Sequence, residues 1–182
     1  MPTETSQNRL RYDLVAMSLH WIIALLMIFM LIFGEGLMDR RQTGTFNASV
    51  HASIGITILV LSLARLLWRL RNPPLPTPAG MKPWEIMLSK STYVLFYIMM
   101  IGLPLSGWLA FSSAVMKNPN WAATSYFGLV QVVQIPATAG MPFGAVHSFG
   151  GNLMIALTVL HVLAALKHQF INRDGLLRRM TP

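Results

Sequence analysis

The stretch VHSFGGNLMIALTVLHVLAALKHQF, residues 146–170, is apolar enough for the interior of a lipid bilayer, yet it contains three histidines. These are His147, His161 and His168, separated by fourteen and then seven residues. A histidine inside a membrane is energetically costly, and by default it faces the interior of a helix bundle and serves a function. Fourteen residues of α-helix rise ~21 Å and complete about four turns, so His147 and His161 face the same way at opposite depths. The stretch therefore predicts a membrane helix that offers two stacked ligands.

The composition of the whole chain is that of a membrane protein. Of its 182 residues, 54% are hydrophobic and 11% are charged, whereas about a quarter of the residues of a soluble domain are charged. Four apolar blocks have the length that a bilayer-spanning helix requires. We predict an all-α integral membrane protein, a four-helix bundle that forms a single domain over residues 1–182, with helices at about 14–36, 50–70, 90–112 and 145–170. The first helix is expected to stay in the mature protein, because no small-residue cleavage site follows it.

The basic residues are distributed unevenly along the chain. The net charge is +8, but all Lys and Arg except Arg40, Arg41 and Lys117 fall in the N-terminal tail, the connection between the second and third helices, and the C-terminal tail. This is the positive-inside pattern, which places both termini in the cytoplasm. The charge therefore indicates orientation in a membrane and not binding to nucleic acid. Cysteine is absent, so any bound group must be held noncovalently, without disulfides, thiolate metal sites or c-type haem attachment.

Two further histidines lie at depths that match those of the fourth helix. His20 lies about six residues from the cytoplasmic end of the first helix, and His51 lies at the outer start of the second. Since successive helices alternate in direction, His20 is level with His161, and His51 is level with His147. The interior of a four-helix bundle is a usual place for cofactors. The pattern predicts two pairs of histidines across the bundle, one near each membrane surface.

Two haems b fit these pairs. Histidine on both axial faces is a common haem ligation, whereas zinc requires three or four ligands and copper usually recruits more sulfur or histidine. Small residues follow three of the histidines by four positions, namely Ala24, Gly55 and Gly151. They leave the adjacent helical turn nearly bare for a macrocycle, although small residues also let helices approach each other closely.

Arg65 is fourteen residues after His51 and therefore projects from the same face of the second helix at the depth of the inner haem. Its guanidinium group can pair with the propionates of that haem, with Arg69 one turn further along. The alternative is that these side chains extend to the cytoplasmic headgroups of the lipid.

The ordered histidines and their surroundings resemble bacterial cytochrome b561. The residues that carry the resemblance are SLHWIIALLMI (18–28), VHASIGITILVLSLARLLWRL (50–70), PLSGW (104–108) and the stretch quoted first, and it extends over residues 11–180. It implies a di-haem b protein of the bacterial inner membrane that exchanges electrons with ubiquinone. By matching position, His20 and His161 are the implied ligands of the cytoplasmic-side haem, and His51 and His147 those of the periplasmic-side haem.

Three functions remain open at this point. The first is a quinone-linked oxidoreductase, since some members of the resembled family oxidise superoxide; here Arg40, Arg41 and Lys117 would attract the anion, although Glu35 and Asp39 oppose them. The second is a membrane-anchor cytochrome b subunit of a periplasmic hydrogenase or dehydrogenase. The third is a haem-free proton channel or transporter. The expected partners are membrane lipid, ubiquinone, and superoxide or a periplasmic redox protein.

His168 is left over after the two pairs are formed. It lies seven residues beyond His161 on almost the same face, ~10 Å nearer the cytoplasm. It can line a quinone pocket beside the inner haem, donating a hydrogen bond to a quinone carbonyl and supplying protons, with Asp13 as a proton relay. Alternatively, His168 caps the helix end near Lys167 and Arg173, and Asp13 is a favourable charge at a helix N-terminus.

Overall fold

The computed structural model describes residues 11–38, 45–77, 80–117, 124–135 and 141–181. Four of its helices are long and apolar enough to cross a membrane, which confirms the predicted all-α membrane bundle. In chain order they are α1 (Leu14–Leu37), α2 (Thr45–Arg71), α3 (Pro83–Lys117) and α4 (Phe143–Leu166).

Two of the helices extend beyond the bounds that the apolar blocks suggest. Helix α2 begins at Thr45 instead of near residue 50, and α3 runs from Pro83 to Lys117 instead of from about 90 to 112. Proline is favoured at the first position of a helix, since it lacks only an N–H that would have no partner there. The Glu85 carboxylate accepts a hydrogen bond from the Lys82 N–H at 3.1 Å and so caps the N-terminus of α3.

The helices pack in chain order around the bundle. Helix α2 packs along α1, α3 packs along α2, and α4 packs along α3, whereas α1 and α4 meet only over a short region. The buried core combines side chains from all four helices: Ile23, Met27, Ile58, Tyr97, Met100 and Met154. Unbranched methionine side chains fill irregular gaps of this kind. Most of the remaining apolar side chains are exposed on the outside, as suits a surface that faces lipid.

The described part of the long outer connection between α3 and α4 packs on the bundle. It forms an antiparallel hairpin of β1 (Ser125–Tyr126) and β2 (Val130–Gln131). The hairpin is attached to α2 by backbone N–H groups that donate to serine hydroxyls: the Phe127 N–H to Ser53 at 2.7 Å and the Ser125 N–H to Ser49 at 3.0 Å.

The C-terminal segment folds back against the start of α1. Helix α4 continues as a π-helix (Lys167–Asn172), and a short 3₁₀ helix (Leu177–Met180) follows. The Tyr12 N–H donates to the Arg179 carbonyl at 3.0 Å, and the Trp21 indole N–H donates to the Met180 carbonyl at 2.7 Å. The two ends of the described chain therefore lie on the same side of the bundle.

Candidate functional site

The outer pair of histidines comes together as the helix directions require. The ring centres of His51 on α2 and His147 on α4 are 6.0 Å apart, and the ring planes are inclined by 62°. Metal–imidazole bonds are about 2 Å long, and a ring nitrogen lies roughly 1 Å from the ring centre, so two imidazoles on opposite sides of one metal ion have centres about 6 Å apart. The separation of His51 and His147 matches this value.

The inner pair has the same arrangement at the other end of the bundle. The ring centres of His20 on α1 and His161 on α4 are 6.4 Å apart, with the planes inclined by 70°. Nowhere in the described chain do three or more His, Cys, Asp or Glu side chains gather around a possible metal position. Each pair thus offers two ligands only, which would suit a metal that brings its other ligands with it, such as the iron of a haem.

Backbone carbonyls orient the outer pair. The Nδ1 atom of His51 lies 3.1 Å from the Gly34 carbonyl oxygen, and the Nδ1 atom of His147 lies 2.9 Å from the Leu103 carbonyl oxygen. Because a carbonyl oxygen only accepts, each Nδ1 carries the proton and donates it, and each Nε2 keeps its lone pair for a metal. This is the usual support of a metal-binding histidine. The sequence does not predict that either carbonyl contacts a histidine.

Gly107 lets α3 approach the ring of His147. A Cβ atom at Gly107 would lie 2.8 Å from Cε1 and 2.9 Å from Nδ1 of His147, closer than a side chain tolerates. One residue earlier, Ser106 donates to the Leu103 carbonyl at 2.8 Å, and its hydroxyl is 3.4 Å from His147 Nδ1. The PLSGW motif around Pro104 therefore forms the wall against which His147 rests. The spacing of the histidines does not predict this wall; a Pro and a Gly within one turn of a membrane helix are its signal in the sequence.

The inner pair has different surroundings. Within the described residues, no hydrogen bond reaches a ring nitrogen of His20 or His161; the rings instead contact aromatic neighbours, with Phe96 lying 5.2 Å from His161 edge to face. Arg65 lies on the cytoplasmic side of this pair, where its Nη1 donates to the Ala16 carbonyl at 2.7 Å. Ala16 precedes His20 by one helical turn, so Arg65 is at the depth that its spacing predicts.

Met154 fills the bundle between the two pairs. It is seven residues from His147 and seven from His161, and only 1% of its surface is exposed. Small residues near the histidines leave space instead: a Cβ atom at Gly55 or Gly151 would meet nothing within 4 Å. The bundle is thus filled at its centre, and the space beside Gly55 and Gly151 is open.

His168 lies in a polar cluster on the π-helix that follows α4. Its Nδ1 atom is 2.5 Å from the Asp174 carboxylate, and the Asn172 side-chain nitrogen is 3.2 Å from the same atom. Burial raises the pKa of Asp174, but hydrogen bonds from His168 and from the Leu176 N–H outweigh burial and hold that pKa below its ordinary value. Lys167 pairs with Glu85 of α3 at 2.9 Å beside this cluster.

Asp13 has partners other than His168. Its carboxylate accepts from the Ala16 N–H at 2.9 Å and from the Trp68 indole N–H at 3.2 Å. Asp13 thus caps the N-terminus of α1, which fits the electrostatic alternative better than a relay that contacts His168 directly. Among the outer charges considered for an anionic substrate, Arg40, Arg41 and Asp39 lie outside the described residues.

Comparison with known proteins identifies similar chains across almost the full length. A family model described as prokaryotic cytochrome b561 matches residues 11–182. Cytochrome b561 homolog 2 of Escherichia coli is 27% identical over 93% of this chain and 90% of its own. The probable superoxide oxidase CybB of Yersinia pestis is 29% identical over 94% of this chain and 96% of its own. Cytochrome b562 of Cereibacter sphaeroides is 28% identical over 93% of this chain and 94% of its own.

Proposed function

The chain belongs to the prokaryotic cytochrome b561 family, and we propose that it carries electrons from a periplasmic donor to membrane ubiquinone through two haems b. Membership makes it a haem-binding electron-transfer protein that crosses the bacterial inner membrane several times. What we propose beyond family membership is the number of haems, the electron donor and the electron acceptor.

The observation that carries the proposal is the separation of the two ring pairs, 6.0 Å and 6.4 Å. In the proposal His51 and His147 ligate the periplasmic-side haem, and His20 and His161 ligate the cytoplasmic-side haem. Haem b supplies a one-electron redox couple in the membrane interior. The protein holds the ligands, excludes water with the core around Met154, and sets the local charge.

Ubiquinone is proposed as the acceptor at the cytoplasmic end, where Arg65 would also meet the propionates of the inner haem. His168 is the proposed proton donor to the quinone. The Asp174 carboxylate holds its Nδ1, and the other ring nitrogen, when it carries a proton, can donate that proton to a quinone carbonyl oxygen.

Superoxide is the proposed donor, supported by the relative from Yersinia pestis that is named a probable superoxide oxidase. The outer end of α3 carries Lys117, which can attract a small anion. The alternative is a membrane anchor that receives electrons from a periplasmic hydrogenase or dehydrogenase, because such a subunit requires the same histidine pairs.

Haem quantification tests the proposal. We expect the purified chain to give two b-type haems per polypeptide in a pyridine haemochrome assay. His51→Ala and His147→Ala should each remove the outer haem, and His20→Ala and His161→Ala the inner one. A single haem in the unmodified chain would contradict the paired assignment. Reduction of ubiquinone by superoxide with the isolated chain supports the enzyme, whereas co-purification of a periplasmic metalloprotein and no such reduction supports the anchor.

A further inference from the structure

A cavity with a volume of about 240 Å³ lies at the cytoplasmic end of the bundle, between the start of α1, the end of α2 and the middle of α3. Three arginines line it, Arg11, Arg65 and Arg69, and Asp13 is the acidic residue in its wall. The carboxylate of Asp13 already accepts from the Ala16 N–H and the Trp68 indole. The lining therefore presents two more positive than negative charges.

Tyr97 of α3 lines the same cavity, and its hydroxyl proton has no acceptor. The residue is 8% exposed; the Arg65 guanidinium lies beside the hydroxyl oxygen and can only donate to it, and no acceptor is positioned for the hydroxyl proton within the described chain. A buried hydroxyl without a partner costs free energy, so a tyrosine here, in place of phenylalanine, points to a group that occupies the cavity.

Arg65 also lacks an anionic partner. Its recorded hydrogen bond goes to the neutral carbonyl of Ala16, and the ion pairs found among the described residues involve other side chains. A partly buried guanidinium without a counter-charge is unfavourable. Arg65 and Tyr97 together are two hydrogen-bond donors in the wall of a cavity whose lining has an excess of positive charge.

The position of the cavity identifies the anion. Ala16 in its wall is one turn, ~6 Å, before His20, so the cavity lies immediately on the cytoplasmic side of the inner histidine pair. We propose that it binds the two propionate carboxylates of the inner haem, and that the Tyr97 hydroxyl donates to them beside Arg65. This inference rests on the proposed function, and it adds Tyr97 to the residues that contact the cofactor.

The phosphate of an anionic lipid offers similar chemistry, and basic cavities at cytoplasmic membrane surfaces do bind such headgroups. The surroundings of Tyr97 favour the propionates. Tyr97 belongs to the buried core together with Ile58 and Met100, and its hydroxyl is itself buried, so a headgroup at the outer lipid surface would not reach it.

The test compares two tyrosines that are one helical turn apart. Tyr97→Phe should retain both haems but lower the ratio of reduced to oxidised inner haem about threefold at a fixed potential, because loss of a donor leaves more negative charge on the propionate. The outer haem should not change. Tyr93→Phe is the matched control: the Tyr93 ring meets that of Tyr97 edge to face at 4.9 Å but is not part of the cavity lining, and the substitution should shift neither haem.

A second variant covers the case in which Tyr97→Phe does not fold. Arg65→Gln should lower the same ratio about tenfold, which is about 59 mV for a one-electron couple. The potentials are measured by spectroelectrochemical titration of the chain with both haems, and His51→Ala, which should retain only the inner haem, identifies the inner signal. Unchanged potentials in both variants would overturn the inference, and loss of co-purified anionic phospholipid alone would assign the cavity to lipid. An unmodified chain without haem would refute the proposed function itself.

Discussion

The outer and inner histidine pairs have nearly the same separation, but the protein supports them differently. Carbonyl oxygens of Gly34 and Leu103 hold the Nδ1 atoms of the outer pair. The inner rings have aromatic neighbours and the nearby Arg65 instead. The backbone therefore sets the orientation and tautomer of the outer histidines. If the inner pair binds the proposed haem, its geometry should depend more on the haem and on the charged cavity beside it.

The largest expected effect concerns the close approach of Gly107 to the His147 ring in the outer pair. In Gly107→Ala the new methyl group would overlap the His147 ring, and relieving the overlap would move that ligand. We expect loss of the outer haem with retention of the inner one, measured as haem per chain. Gly102→Ala is the control on the same helix, since a Cβ atom there meets nothing within 4 Å. Two haems in Gly107→Ala would show that the ring can move without loss of ligation.

The next prediction concerns the cytoplasmic half alone. His168→Ala should keep both haems and their spectra but slow reoxidation of the reduced protein by a soluble ubiquinone at least ~10²-fold, the effect typical of losing a general acid. Stopped-flow mixing measures the rate. Lys167→Ala, which removes the neighbouring ion pair with Glu85, is the control and should change it little. An unchanged rate in His168→Ala would leave His168 as a helix cap held by Asp174.

The different surroundings of the two histidine pairs also predict which of the two haems has the lower midpoint potential. A carbonyl acceptor on Nδ1 makes the outer imidazoles more basic, which favours the oxidised iron, while the positive charge of Arg65 favours the reduced inner haem. We expect the outer haem to have the lower midpoint potential, by about tenfold in the redox equilibrium or 59 mV. His20→Ala, retaining the outer haem, and His51→Ala, retaining the inner one, allow separate titrations. The reverse order would show that other charges dominate.

The smallest expected effect is at the cytoplasmic start of α1. Burial raises the pKa of Asp13, but hydrogen bonds from the Ala16 N–H and the Trp68 indole outweigh it and hold that pKa below its ordinary value. Its stabilising contribution is therefore full above the unfolded-state pKa of about 3.9 and is lost as the pH falls through the folded value. Asp13→Ala should cost about 1 kcal/mol at neutral pH, and less on acidification.

Thermal unfolding from pH 7 to pH 3 measures this difference. The difference in stability between the unmodified chain and Asp13→Ala should narrow toward the acidic end. A constant difference across the range would mean that the carboxylate is not the stabilising group. Because Asp13 lies next to Ala16, which is one turn from His20, any accompanying change in haem content should affect the inner site and not the outer one.

The sequence by itself determines the four membrane helices and which histidines share a depth. Both follow from properties that depend on the chain alone: apolar segments must satisfy their backbone groups as helices in lipid, and helical rise relates spacing to depth. His147 and His161 are fourteen residues apart on one helix. Their partners on two other helices can therefore be predicted from spacing alone, without information about how the helices pack.

Only the tertiary structure decides what supports these ligands. The helices are apolar on nearly every side, so the sequence contains little information about how each is rotated against its neighbours. That rotation is set by interlocking side chains in the core, and it brings the Leu103 carbonyl and Gly107 to His147. It also leaves the Tyr97 hydroxyl and the Arg65 guanidinium facing a cavity. These groups come together because of shape and packing among distant segments, which no local pattern of residues records.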